Sequence, residues 1–481
     1  MPVSDPSTMP DRASRLARIS QIDQELGRLH RERQTQLQSL AYPVLKLPVE
    51  ITAQIFVHCV PRNALNCNLW RAAVVLGSVC RHWRAVVLSM SELWTAISLI
   101  VDGTASERIS SSVALWLTRS KARPLAIRIS PQSDAGDAFS DQAEEWWALV
   151  EEFMEHLLPQ LVLHRARWQH VEISVPLSVL RSIRDKTEPL PELVHLSLGA
   201  VQEHWKNKEG EVPVTLFASA PQLQSLHLTL DTTGDFRRMG LIELPYGQLT
   251  SFTGTGFSHY ECLEILDLMP NLVYCAFFVS NRDSDVADDP PPLERLRSLQ
   301  LWSFAPTAHP QHILEDLVMP SLETLLVGRD DSRLLAVELS HLIKRSNCTI
   351  RHFACEELDP EDIADCLDVL TSIQTLDLLN YEQDVAVRVL RQLYAAITEN
   401  SATQQRWKTL ENITLMCRRQ LHHDDFPFPL LVTLLEVLPV KRFQLVWNTA
   451  LLPRPPTTIE VSELRRLGRQ IYIGTPVFSW I

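Results

Sequence analysis

The chain has 481 residues, 45% of them hydrophobic and 21% charged, a globular composition that excludes a chain held open by charge. Its formal net charge is −13, with 58 acidic residues against 45 Lys and Arg and no long basic run, so nucleic acid is not an expected partner. A single core stops growing well below this length, so several domains or one extended repeat array is expected.

The opening MPVSDPSTMPDRASR has no apolar core of a secretory signal, and no apolar run reaches the length needed to span a bilayer, so no membrane is expected. The nine cysteines include no C-x-x-C pair, which argues against a zinc ribbon or a disulfide framework and points to the cytosol or nucleus. Only 14 residues are glycine, and Gly254-Thr255-Gly256 lacks the third glycine and lysine of a phosphate loop; it reads as a turn after a strand.

Residues 1–42 read as a loose tail followed by an amphipathic helix from about Arg12 to Leu40. Ile19, Ile22, Leu26 and Leu29 follow coiled-coil spacing before Arg33 and Gln36 break the seam. Such a helix either self-associates or lies on the domain that follows it.

Residues 43–100 carry the sharpest signal. Leu47-Pro48 opens a helix, with the proline where its missing N–H costs nothing. Ile51, Ile55 and Cys59 recur on one helical face with Phe56 beside them, and Leu76, Val79, Cys80, Trp83 and Val87 follow at spacings of three and four. Both stretches are apolar over more than one face, as in a small domain that buries one side and offers the other to a partner.

This segment resembles an F-box. Family members begin L-P-x-E-[IL]-x-x-x-I-[FL], and Leu47, Pro48, Glu50, Ile51, Ile55 and Phe56 fill those places. They continue V-C-[KR]-x-W-[RK] and close with L-W, met by Val79, Cys80, Arg81, Trp83 and Arg84 and by Leu93 and Trp94. An enlarged, polar middle from Val60 to Arg71 departs from the compact motif and is similar to insertions in fungal members. The resemblance implies a helical domain docking on a Skp-family adaptor, itself bound to a cullin scaffold. It makes Leu47, Pro48, Ile51, Ile55, Phe56, Val79, Cys80, Trp83, Leu93 and Trp94 the expected adaptor-binding residues.

Residues 101–165 read as a transition segment: a helix near Ser112–Arg119, a strand-like Leu125-Ile127-Ile129, an acidic loop at Pro131–Gln142, then a long helix over Glu144–Leu163. Its Trp146, Trp147 and Phe153 read as core. Residues 166–481 then repeat the form L-x-x-L-x-L, from Trp168-Val171-Ile173 through Leu193-Leu196-Leu198 and Leu223-Leu226-Leu228 to Val440-Phe443-Leu445, in steps of 23 to 37 residues. The fourth and sixth residues of each triplet fall on one face of a strand. The expected fold is therefore a helical F-box followed by an α/β solenoid of irregular leucine-rich-like repeats with a parallel sheet, whose open face binds a target protein. The asparagine or cysteine that usually follows each repeat is replaced by Phe257, Ser280, Tyr381 and others, so the side-chain ladder of regular repeats is largely absent.

No G-x-S-x-G, H-E-x-x-H, Walker or kinase signature occurs, so no catalytic residue, metal or cofactor is expected. His309, His312, His422 and His423 read as solvated loop residues, as do Asp283, Asp285, Asp288 and Asp289 before a proline run. The sequence thus describes a non-enzymatic substrate receptor of a cullin-type ubiquitin ligase for an unidentified target, or a scaffold that uses the same repeat surface without a ligase.

Overall fold

Among the described residues of a computed structural model, the fourth and sixth residues of successive triplets lie side by side in one parallel sheet of 14 strands, ordered along the chain. The structure describes all residues except 1–11, 40–46, 60–68, 102–106, 132–140, 176, 184–188, 201–212, 231–237, 282–290, 304–311, 329–334, 400–408, 419–425, 449–453, 477 and 481. The strands are β1 (Ala96–Val101), β2 (Leu125–Pro131), β3 (Trp168–Ser174), β4 (His195–Ala200), β5 (Ser225–Leu230), β6 (Ser251–Ser258) and β7 (Tyr274–Asn281). They continue as β8 (Ser298–Ser303), β9 (Thr324–Gly328), β10 (His352–Glu356), β11 (Thr375–Tyr381), β12 (Asn412–Cys417), β13 (Arg442–Trp447) and β14 (Gln470–Gly474).

Residues 1–94 and 95–481 form two separate units. The first contains α1 (Arg12–Ser39), α2 (Val49–Cys59), α3 (Leu69–Val79) and α4 (Arg81–Ser89), with a 3-10 turn at Ser91–Trp94. Pro48 precedes α2 and its carbonyl accepts from the Thr52 N–H at 3.0 Å, starting the helical ladder. Cys80 separates α3 from α4 in extended conformation (φ −156°), and its sulfur accepts from the Trp83 N–H. The enlarged middle over 60–68 lies outside the described residues.

The second unit holds the whole sheet. It begins at β1, so the early strand-like pieces at Ile97-Leu99 and Ile127-Ile129 belong to the same ladder as the later triplets. Val171, Leu196, Leu226 and Phe252 are successive register partners, as are Ile173, Leu198, Leu228 and Gly254. The first residue of each triplet, such as Leu193, Leu223 or Leu322, is also buried, so one repeat supplies three core side chains. The helices of this unit are α5 (Glu107–Arg119), α6 (Asp141–Val162), α7 (Leu177–Ser182), α8 (His259–Leu268), α9 (Ile313–Asp316), α10 (Leu335–Ser346) and α11 (Pro360–Val369), then α12 (Gln383–Glu399), α13 (Phe428–Val437) and α14 (Thr458–Arg466). From α8 onward each helix packs against the next, alongside the strand ladder. Because neighbouring repeats cover each other's apolar edges, the second unit is an α/β, solenoid-like stack. Within 101–165, Met154, Leu157, Leu158 and Leu161 of α6 enter the same core, with Phe153 partly covered against it; the side chains of Trp146 and Trp147 lie outside the described residues.

Two sequence readings change. Gly254 and Gly256 are not a turn but part of β6. A Cβ on Gly254 would lie 2.9 Å from the Phe252 ring and 3.0 Å from that of Phe257, so aromatic rings fill the core where other repeats carry leucine. Gly256 has φ 84°, the left-handed region, where the strand shifts register against β7. The missing asparagine ladder is partly replaced by other groups. The Ser280 hydroxyl donates to the Gly256 carbonyl of the preceding repeat at 3.0 Å, and the Tyr381 hydroxyl accepts from the Leu358 N–H at 2.9 Å. Both positions satisfy backbone groups of the previous turn, as an asparagine there would.

Candidate functional site

In the first unit, burial sorts α2–α4 into an inner and an outer set. Phe56 (1% exposed) packs its ring edge-on against Trp83, with centroids 4.9 Å apart. Leu93 and Trp94 are buried, and the Trp94 Nε1–H donates to the Val87 carbonyl at 3.0 Å, tying the closing turn to α4. Arg84 Nε–H donates to the Gly77 carbonyl at 2.9 Å, joining α3 to α4. The inner set is a small hydrogen-bonded core.

The outer set is apolar but uncovered. Ile51 and Ile55 of α2 are 43% and 41% exposed, and Val79 at the end of α3 is 58% exposed. Val49, Val57, Val74, Val75 and Leu88 are exposed as well. Solvent-exposed apolar residues are ordinary one at a time. So many bare Ile, Val and Leu side chains in a helical unit this short are the kind of apolar surface that partners cover.

The expected adaptor-binding residues therefore separate into two kinds. Pro48, Ile51, Ile55 and Val79 are exposed, and Leu47 is half-buried. Phe56, Leu93 and Trp94 are interior, Trp83 packs on Phe56, and Cys80 caps α4, so these five support the surface rather than forming it. The motif match does not single out Val49, Val57, Val74, Val75 or Leu88. For the four valines the sequence signal is that α2 and α3 are apolar on faces that cannot all be inside.

The second unit offers the sheet face opposite the core. Its residues alternate with the buried ones and include many small polar side chains, as in Ser225 and Thr229 of β5. Two features interrupt that pattern. His170, His195 and His227 stand on consecutive strands, the first two rings 6.3 Å apart. Burial pushes all three below the usual imidazole range, and for His195 the two other histidines add to the effect. Beside them Arg128 and Glu172 pair at 3.0 Å, and burial raises the Glu172 carboxyl. Further along, Phe278 and Trp302 stack at 5.7 Å with planes 5° apart. The Trp302 indole lies flat over β9 because Gly328 has no side chain; a Cβ there would be 2.4 Å from Trp302 Cε3. These part-exposed rings form an apolar spot on that face.

Among the described residues, no group of three His, Cys, Asp or Glu side chains could hold a metal ion. His312 pairs with Glu315 on its own helical turn, while His309, His422, His423 and the acidic residues Asp283 to Asp289 lie outside the described residues. No described helix is long and apolar enough to cross a membrane.

No protein-family profile matches the chain, and no curated protein matches it. Among solved structures, the chain is similar to a Bacteroides fragilis protein determined as a structural-genomics target. The two share 15% identity over 67% of this chain and 88% of that one, with a TM-score of 0.35, too slight a likeness to bear on function.

Proposed function

We propose that this protein is a non-catalytic substrate receptor of a cullin-type ubiquitin ligase. Its first unit would bind a Skp-family adaptor, and the open face of its sheet would hold a target protein. The observation that carries this reading is the coincidence of two independent features in residues 43–94. The order of residues resembles an F-box, and the same residues leave Ile51, Ile55 and Val79 bare above a core closed by Phe56, Trp83 and Trp94. Function in this reading is positional: the target is held near activated ubiquitin, so its effective concentration rises and no covalent intermediate forms on this chain. The sheet face supports a binding role because stacked repeats offer a long surface of solvent-facing side chains.

The test is capture of a purified Skp-family adaptor and its cullin by the full-length chain. Val75→Asp is the control, since Val75 is 59% exposed and a charge there spoils an interface without entering the core. Capture of adaptor and cullin, lost in that variant, is expected. Adaptor without cullin would favour a scaffold outside a ligase, and no capture by folded protein would defeat the proposal.

A further inference from the structure

In helix α1, every side chain described from Arg12 to Gln36 is exposed. Ile19, Ile22, Leu26 and Leu29 are 54, 47, 48 and 51% exposed, although they form the helix's apolar stripe, with Leu16 (59%) beside it. A helix carrying such a stripe gains most of its stability from whatever covers it. We infer that a second copy of this chain covers it, and that two α1 helices pair in parallel as a short coiled coil.

Three observations favour that occupant. First, the stripe is narrow. Ile19 and Leu26 take the first core position of a heptad and Ile22 and Leu29 the fourth, which fits one facing helix rather than a broad surface. Second, the flanking charges match in parallel register. Arg18 and Glu25 then border Asp23 and His30 of the second copy, so Arg18 meets a carboxylate and Glu25 meets no like charge. The antiparallel register with the same apolar layers puts Glu25 against its own copy, a like-charge contact near the twofold axis. Third, Arg15 and Arg33 occupy the core positions on either side of the stripe. In a pair of helices their stems can follow the seam while their heads reach water, which becomes harder in larger bundles.

The inference is independent of adaptor binding, because its assay contains only the purified chain. Sedimentation equilibrium of the full-length protein at tens of micromolar is expected to give twice the 54.8 kDa chain mass. Leu26→Lys should return the single-chain mass, with far-UV circular dichroism reporting that the repeat unit stays folded. Arg18→Asp and Asp23→Arg should each weaken association, and an equimolar mixture of the two should restore it through matched heterodimers. A single-chain mass at every concentration would overturn the inference and leave the stripe to this chain's own surface. So would association that survives Leu26→Lys, or a mixture no stronger than either variant alone.

Discussion

Truncating Ile51 and Ile55 together to alanine should weaken adaptor binding far more than it weakens folding. Full burial of an isoleucine side chain is worth about 1.5–3 kcal/mol. About two-fifths of each residue is still open to solvent, at 43% and 41%, and that fraction is available to a partner. Covering it is then worth about 0.6–1.2 kcal/mol per residue, or about 2 kcal/mol for the pair, which corresponds to roughly 30-fold in Kd. Phe56→Ala provides the contrast. Its ring is 1% exposed and packs on Trp83, so its loss should appear as about 3–5 kcal/mol of unfolding free energy in the first unit. Isothermal titration of adaptor into each variant, with a urea melt of the same sample, separates the two effects. A double alanine variant that keeps wild-type affinity would refute the argument that these exposed carbons are the docking surface.

Other expectations follow from single contacts. Gly328→Val should lower the melting temperature by displacing the Trp302 indole, at a cost of about 1–3 kcal/mol, and Trp302→Leu in the same chain should recover part of it. Tyr381→Phe leaves the buried Leu358 N–H without its 2.9 Å acceptor and should cost about 1–3 kcal/mol in a denaturant melt. The depressed imidazoles of His170, His195 and His227 bind protons more readily when unfolded, so stability should fall as pH drops below 6.5 and on through their folded values. The raised Glu172 carboxyl acts with the opposite sign at lower pH, and replacing the three histidines with glutamine should flatten the melting-temperature profile between pH 7 and 5.5. A maleimide should label Cys59 in the native protein, while Cys275, Cys355 and Cys417, buried and with thiols pushed up, the latter two to about 12, should react only on unfolding. Adaptor should protect Cys59, which lies one turn beyond Ile55 along α2.

The strand ladder was legible because each repeat carries three apolar residues at one spacing, and the register of one strand on the next follows from burying the same two. β14 escaped that reading for a visible reason. Its core residues Ile471 and Ile473 follow Leu467 by four and six positions rather than three and five, and the extra residue is accommodated by Gly468 at φ 64°. Strand β6 also runs on through Gly256, two residues beyond the triplet Leu249-Phe252-Gly254, where a residue without a side chain extends no periodic signal. In the first unit, the motif identifies residues but not their directions. Phe56 and Ile55 are adjacent in sequence and both fit the pattern, yet one is interior and the other open to solvent. Periodicity leaves that choice undecided when a helix is apolar on several sides, and only packing of α2 against α4 makes it.

The most direct measurement of the central claim is sedimentation velocity of the full-length chain mixed with a purified Skp-family adaptor. A single faster boundary holding both proteins in equal amounts, lost with Val75→Asp, is the result predicted. Two boundaries at the speeds of the separate, folded proteins would contradict it.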